Sequence, residues 1–286
     1  MNPLDSITEQ IELIKDINAI LKKYQINETI HLQDITITDN GVTDLMKQTA
    51  KLTDAITNFL WPRVHFSSVY HYTSKDNAEK ILNTGIFRLT NIAKRYREGE
   101  ITTFCNTHQL SGYLGLNKNG IQNDKELIEN TFYASFTDTN LTVSEEEYFW
   151  RQFASNGGVR LRINVTAKND NFRKVYYEQV KGKQIPLLLD LSSLINQKYK
   201  RKFTLKGISR LCSFYLSGDG YGMEREYRLL HRVWDHSGPQ PKTDGNYSYI
   251  ELQLNTMTAC GYEINVNEVY ASEKLDIPLT YTFTKR

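Results

Sequence analysis

Residues Val159-Arg160-Leu161-Arg162-Ile163-Asn164-Val165 alternate between apolar and polar side chains without a break. A strand points successive side chains to opposite faces, so this run buries one face and leaves the other polar. It needs neighbouring strands and a covering layer, which excludes an all-helical chain. Just upstream, Ser144-Glu145-Glu146-Glu147 reads as a capping box, Ser at the cap and Glu three later, and opens a helix with Tyr148, Trp150, Arg151 and Phe153. Gly157-Gly158 closes that helix. Phe132-Tyr133-Ala134-Ser135-Phe136-Thr137 reads as a second strand, and the β-branched and aromatic Val69-Tyr70-His71-Tyr72-Thr73 as a third. Ser74 is placed to cap a helix over Lys75 to Asn83 that Gly85 ends, and Arg88-Leu89-Thr90-Asn91 follows as a short extended piece. The fold class is α+β.

The first sixty residues read differently. Ile7, Ile11, Ile14, Ile17 and Leu21, widened by Leu13 and Ile20, recur at steps of three and four and mark one helix. Asp44 to Leu60, with Leu45, Met46, Leu52, Ile56 and Leu60, marks another that Trp61-Pro62 ends. The expected organisation is a helical segment over 1–62 followed by one domain over 63–286. Charge divides at the same place: residues 1–60 hold five lysines against nine acidic residues, while the whole chain is +2. The acidic arm suits structural packing, docking of an antitoxin or covering of a site. Cys105, Cys212 and Cys260 are widely spaced and odd in number, which fits neither a metal motif nor a secreted disulfide framework. No apolar run approaches the roughly 20 residues that span a membrane, and the N-terminus lacks a basic signal start, so a cytoplasmic protein is expected.

Glu224-Arg225-Glu226-Tyr227-Arg228 carries the strongest functional signal. Read as a strand, its alternation puts Glu224, Glu226, Arg228 and Arg232 on one face and Met223, Tyr227, Leu229 and Val233 on the other, where Arg225 and His231 are the polar exceptions. Two carboxylates side by side repel, which fold stability does not require. The run reads either as a solvated face with Glu–Arg pairing or as a site that stabilises a developing positive charge.

The order of these pieces is His-Tyr-Thr then helix-Gly, Arg-x-x-Asn, Ser-Phe-Thr, Trp-Arg-x-Phe-Ala with Gly-Val and a strand, then Glu-x-Glu-Tyr-Arg. It resembles a large bacterial family of unknown function, which in turn resembles the ADP-ribosyltransferase fold and its DarT-like nucleic-acid-modifying toxins. The resemblance covers Phe66 to Val233. It implies a split antiparallel sheet around an NAD cleft, preceded by the helical N-terminal segment, with NAD as co-substrate and no metal. It implies that Glu226 is the catalytic glutamate with Glu224 two earlier. It places His71, flanked by Tyr72 and Thr73, at the NAD ribose, and Arg88 and Asn91 towards the cofactor. The resemblance also implies that Ser135 supports the site. The nicotinamide stack is left open among Tyr133, Tyr148 and Trp150, with Trp150 carried as a cofactor contact. The activity implied is ADP-ribosyl transfer by a toxin of a toxin–antitoxin or phage-defence system. The implied acceptor is nucleic acid, RNA ahead of DNA; a protein side chain, or an inactive nucleotide-binding module, are the alternatives.

Breaking the nicotinamide–ribose bond builds positive charge on the sugar, as glycoside hydrolysis does, and a fixed carboxylate stabilises it. Two basic stretches interleave with aromatics: Lys94-Arg95-Tyr96-Arg97 and Lys198-Tyr199-Lys200-Arg201-Lys202. Each suits either a solvated face or a single-stranded nucleic acid, and Lys94, Arg95 and Arg97 are the candidate target contacts. Residues 98–130, rich in Gly and Asn, read as a lid or recognition loop.

Overall fold

The computed structural model describes residues 3–45, 50–93, 100–110, 130–154, 157–178, 180–216, 224–233, 238–245 and 247–272. Along the chain come helix α1 (Pro3–Lys23), strands β1 (Ile35–Ile37) and β2 (Gly41–Asp44), helix α2 (Lys51–Leu60), strand β3 (Phe66–Thr73), helix α3 (Lys75–Thr84) and strand β4 (Ile86–Asn91). Helix α4 (Glu100–His108), strand β5 (Thr131–Asp138), helix α5 (Val143–Phe153) and strands β6 (Val159–Ala167), β7 (Phe172–Lys174) and β8 (Tyr176–Tyr177) follow. The last are helix α6 (Pro186–Ser193), strand β9 (Lys202–Thr204), helix α7 (Ile208–Ser213) and strands β10 (Tyr215–Leu216), β11 (Glu226–Arg232), β12 (Lys242–Asp244), β13 (Tyr247–Gln253) and β14 (Tyr262–Ala271). Among the described residues, no helix is long and apolar enough to cross a membrane.

The chain does not divide once at residue 62. One compact unit takes Met1–Pro62, Arg95–Leu127 and Tyr176–Asp219; the other takes Arg63–Lys94, Ile128–Val175 and Gly220–Arg286. The reason is visible in the first unit, where the N-terminal elements bury their apolar faces against elements far along the chain. Helix α1 buries Leu13, Ile14, Ile17 and Leu21, while Ile7 and Ile11 at the start of its stripe stay exposed. The expected run of helices is interrupted by the β1–β2 hairpin, and β2 pairs in parallel with β9 from Gly41↔Lys202 to Thr43↔Thr204. Asp44 therefore ends a strand rather than opening a helix. It is fully buried, and its carboxylate accepts from the Thr53 backbone and hydroxyl and from the Lys206 N–H. Residues 46–49 lie outside the described residues.

The acidic arm also answers one basic stretch. Lys198 pairs with Asp16 at 2.6 Å and Glu12 at 3.3 Å, and Arg201 forks onto Glu9 at 2.9 and 3.0 Å. That stretch is matched within its own unit by α1.

The second unit is built on one antiparallel sheet in the order β12-β13-β4-β5-β3-β6-β14, with β11 pairing β5 and β7. Strand β6 alternates along its whole length, with Val159, Leu161, Ile163, Val165 and Ala167 in the core. Helix α3 starts on Ser74, whose hydroxyl accepts from the Asn77 N–H, and stops on Gly85 in the left-handed conformation (φ 67°). Helix α5 is capped two residues earlier than expected, at Thr142. Thr142 accepts from the Glu145 N–H, and Glu145 accepts in return from the Thr142 N–H, so the box is Thr142–Glu145 and not Ser144–Glu147. Gly158 has to be glycine, because a Cβ there would lie 2.7 Å from the Ala154 carbonyl oxygen and closer still to that of Thr73.

Strand β5 is where the sheet splits. One edge pairs with β11 from Thr131↔Arg232 to Thr137↔Glu226. The other edge is shared: β3 takes only Thr137 and Asp138, and β4 takes only Phe132 and Tyr133. Among the described residues, Ala134 to Phe136 thus have no strand partner on that edge, and β3 and β4 diverge around them. The core fills the inner side of this curled sheet, from Phe87, Leu89, Phe136 and Leu229 to Ile250 and Ile264.

Candidate active site

Residues directly opposite in an antiparallel pair share a face. The β5–β11 register sets Tyr133 beside Leu230, Ser135 beside Arg228 and Thr137 beside Glu226. Tyr227 and Leu229 go to the other face, into the core. The polar face is not solvated: Glu226 is 4% exposed and Arg228 1%. Arg228 forks onto the carboxylate, Nε to Oε1 at 2.9 Å and Nη2 to Oε2 at 3.0 Å, and its guanidinium lies over the Tyr133 ring. Ser135 Oγ donates to the same Oε1. The result is a carboxylate of fixed orientation, held by a hydroxyl and a guanidinium.

Glu224 does not continue this row. Strand β11 begins at Glu226, and Arg225 between the two glutamates has φ +41°, so the extended alternation stops there. A non-glycine residue in the left-handed region needs support from outside. Arg225 has it: Nη2 pairs with Glu145 at 3.0 Å and Nη1 donates to the Asn140 carbonyl at 2.9 Å. Glu224 is buried, and its backbone carbonyl accepts from the Thr137 hydroxyl at 2.8 Å. Backbone and side chains of the same turn therefore tie Glu224 to β5 just before Glu226.

His71 enters this centre from behind. Its Nδ1 donates to the Ser135 carbonyl across the open edge of β5 at 3.3 Å, and its ring sits between Phe87 and Phe136. A carbonyl only accepts, so the proton is on Nδ1. Burial in this aromatic wedge pulls the imidazole pKa down to about 4, and the ring is neutral at physiological pH. His71 holds the peptide whose side chain holds Glu226. Thr73, on the same side of β3, is buried.

The other expected cofactor contacts are not brought to this point. Tyr72 lies on the opposite face of β3 from His71, stacked on Phe149 at 5.4 Å and edge-on to Trp150 at 5.2 Å. Arg160 completes that cluster, its guanidinium 4.4 Å from the rings of both Tyr70 and Tyr270 and ion-paired with Glu146. Burial there pushes the Tyr72 hydroxyl up to about 12. Arg88 is on the surface, paired with Glu251 at 3.4 Å and lying over the Tyr249 ring. Asn91 accepts from the Ala93 N–H in a local turn. Lys94, Arg95 and Arg97 lie outside the described residues, as does most of the expected lid.

Arg228 was the residue missing from the expected site. Its signal was present, because i and i+2 on one strand face are neighbours. Among the described residues, no cluster of three or more metal-ligating side chains forms. Compared with protein-family models, curated proteins and solved structures, the chain finds no match.

Proposed function

We propose that this chain is an NAD-dependent ADP-ribosyltransferase in which Glu226 is the catalytic carboxylate. One observation carries the reading: the Ser135–Glu226–Arg228 constellation beside the split of an antiparallel sheet. A charge fixed before reaction costs no reorganisation when positive charge develops on a sugar, and such a group is typically worth about a hundred- to a thousand-fold in rate. Ser135 and Arg228 set the carboxylate's orientation inside the protein. The donor set fits the ribose end of NAD, where a carboxylate meets hydroxyls and developing charge. Tyr72 and Trp150 do not supply a nicotinamide clamp, since they are packed on each other. Bound NAD supplies the activated glycosidic bond; the chain's own residues orient the anion and exclude water from it.

The acceptor proposed is nucleic acid, with RNA ahead of DNA. This rests on the family resemblance and on the sequence stretch Lys94-Arg95-Tyr96-Arg97, where basic side chains interleave with an aromatic one. A toxin role in a toxin–antitoxin or phage-defence system follows from the same resemblance. A second reading has its own observation: both Glu226 oxygens are already bonded to Arg228, as in a structural lock. On that reading the unit binds a nucleotide without turnover. Incubating the protein with labelled NAD and separate pools of RNA, DNA and protein distinguishes them. Label in the RNA pool supports the proposal, label in protein moves the acceptor, and NAD binding without label transfer supports the lock.

A further inference from the structure

In the first unit, Cys105 on α4 and Cys212 on α7 are 107 residues apart in sequence, yet their sulfurs are 3.5 Å apart. Cys105 is half-buried and Cys212 fully buried, and both are free thiols. Around them α4 is held in place: Phe104 stacks on His108, and both rings meet Tyr215 edge-on. His108 is fixed at both nitrogens, Nδ1 donating to the Phe104 carbonyl and Nε2 accepting from the Ile185 N–H. Two thiols in contact lie about 1.5 Å outside the S–S bonding distance of about 2.05 Å.

We infer that Cys105 and Cys212 form a reversible oxidation site, in which a hydroperoxide converts the two thiols to a disulfide joining α4 to α7. The roles follow from access. Cys105 is the less buried of the two, so its sulfur attacks the peroxide oxygen, breaks the O–O bond and becomes a sulfenic acid with release of water. Cys212 then attacks that sulfur; the S–O bond breaks, the S–S bond forms, and the thiol proton leaves with the hydroxyl as a second water. Two thiols and one hydrogen peroxide give one disulfide and two waters. Burial pushes the Cys212 thiol well above its ordinary pKa, which keeps it protonated and makes it the resolving partner rather than the first target. A dithiol reverses the step by exchange. Cys260, buried in the second unit, has no cysteine neighbour among the described residues and stays a thiol.

The test uses the full chain and hydrogen peroxide. After exposure, free thiols are alkylated in denaturant and the protein is digested with trypsin without reductant. Trypsin places the three cysteines in separate peptides, 98–118, 211–225 and 243–274. The expected result is a linked 98–118/211–225 pair, lighter by two hydrogens than its parts and lost on adding dithiothreitol, with Cys260 alkylated. The Cys212→Ser variant should instead leave Cys105 as a sulfenic acid that a cyclic diketone traps. Sulfinic acid at Cys105 in the wild type, a bridge involving Cys260, or full alkylation of Cys105 and Cys212 would overturn the inference.

Discussion

Replacing Arg228 by Met tests the energetics of the buried centre. Arg228 is 1% exposed and makes two hydrogen bonds to a carboxylate that is itself 4% exposed. Each charge-assisted bond contributes on the order of 1.5–3 kcal/mol, and breaking a buried pair by removing one partner costs about 3–5 kcal/mol. A second limit comes from the stranded carboxyl, which takes up a proton rather than stay charged. Protonating an ordinary glutamate at pH 7 costs about 3.7 kcal/mol, so the variant should lose about 3–4 kcal/mol there. That limit falls by about 1.4 kcal/mol for each unit of pH, leaving a loss of about 1.5 kcal/mol near pH 5.5. Urea titrations of both proteins at the two pH values measure it, and the double variant with Glu226→Gln should recover part of the loss. A cost below about 1 kcal/mol that does not change with pH would refute the picture of a dry, mutually dependent pair.

Two further outcomes follow from the same sheet. Because the His71 pKa is depressed to about 4, the unfolded chain binds this proton more readily between pH 6.5 and 4. Stability is therefore fully present above about pH 6.5 and drops by up to about 3 kcal/mol as pH falls to 4. His71→Gln, which does not titrate, should start less stable at neutral pH but show an acid loss smaller by that amount; an unchanged acid slope in chemical denaturation would count against it. Gly158→Ala should cost at least about 2 kcal/mol in the same assay, because the atoms its methyl meets include backbone carbonyls of Thr73 and Ala154 that cannot swing aside; a neutral substitution would show that the turn after α5 is looser than it looks.

What could be read from the sequence was local. Strand β6 declares itself by alternation, and α3 by Ser74 and Gly85, because each signal depends on a few consecutive residues. The β1–β2 hairpin was legible too, in the β-branched Ile35-Thr36-Ile37 and the turn before Gly41, but the apolar spacing of the flanking helices masked it. The Glu-x-Glu pattern misled by one residue: nothing in its letters marks Arg225 as left-handed, and the support comes from Glu145, some eighty positions upstream. His71 and Ser135 each stand out in the sequence, yet their junction depends on where β3 and β4 leave β5. That is a matter of long-range register, which periodicity does not record.

In the proposed function Glu226 acts on NAD as a preorganised anion. Glu226→Gln keeps the size of the side chain and removes its charge. In protein shown by circular dichroism and melting to be folded, nicotinamide release from NAD should fall by about a hundred-fold or more relative to the wild type. Release at the wild-type rate from the folded Gln variant, or no release from the wild type with every nucleic-acid and protein acceptor supplied, would contradict the account.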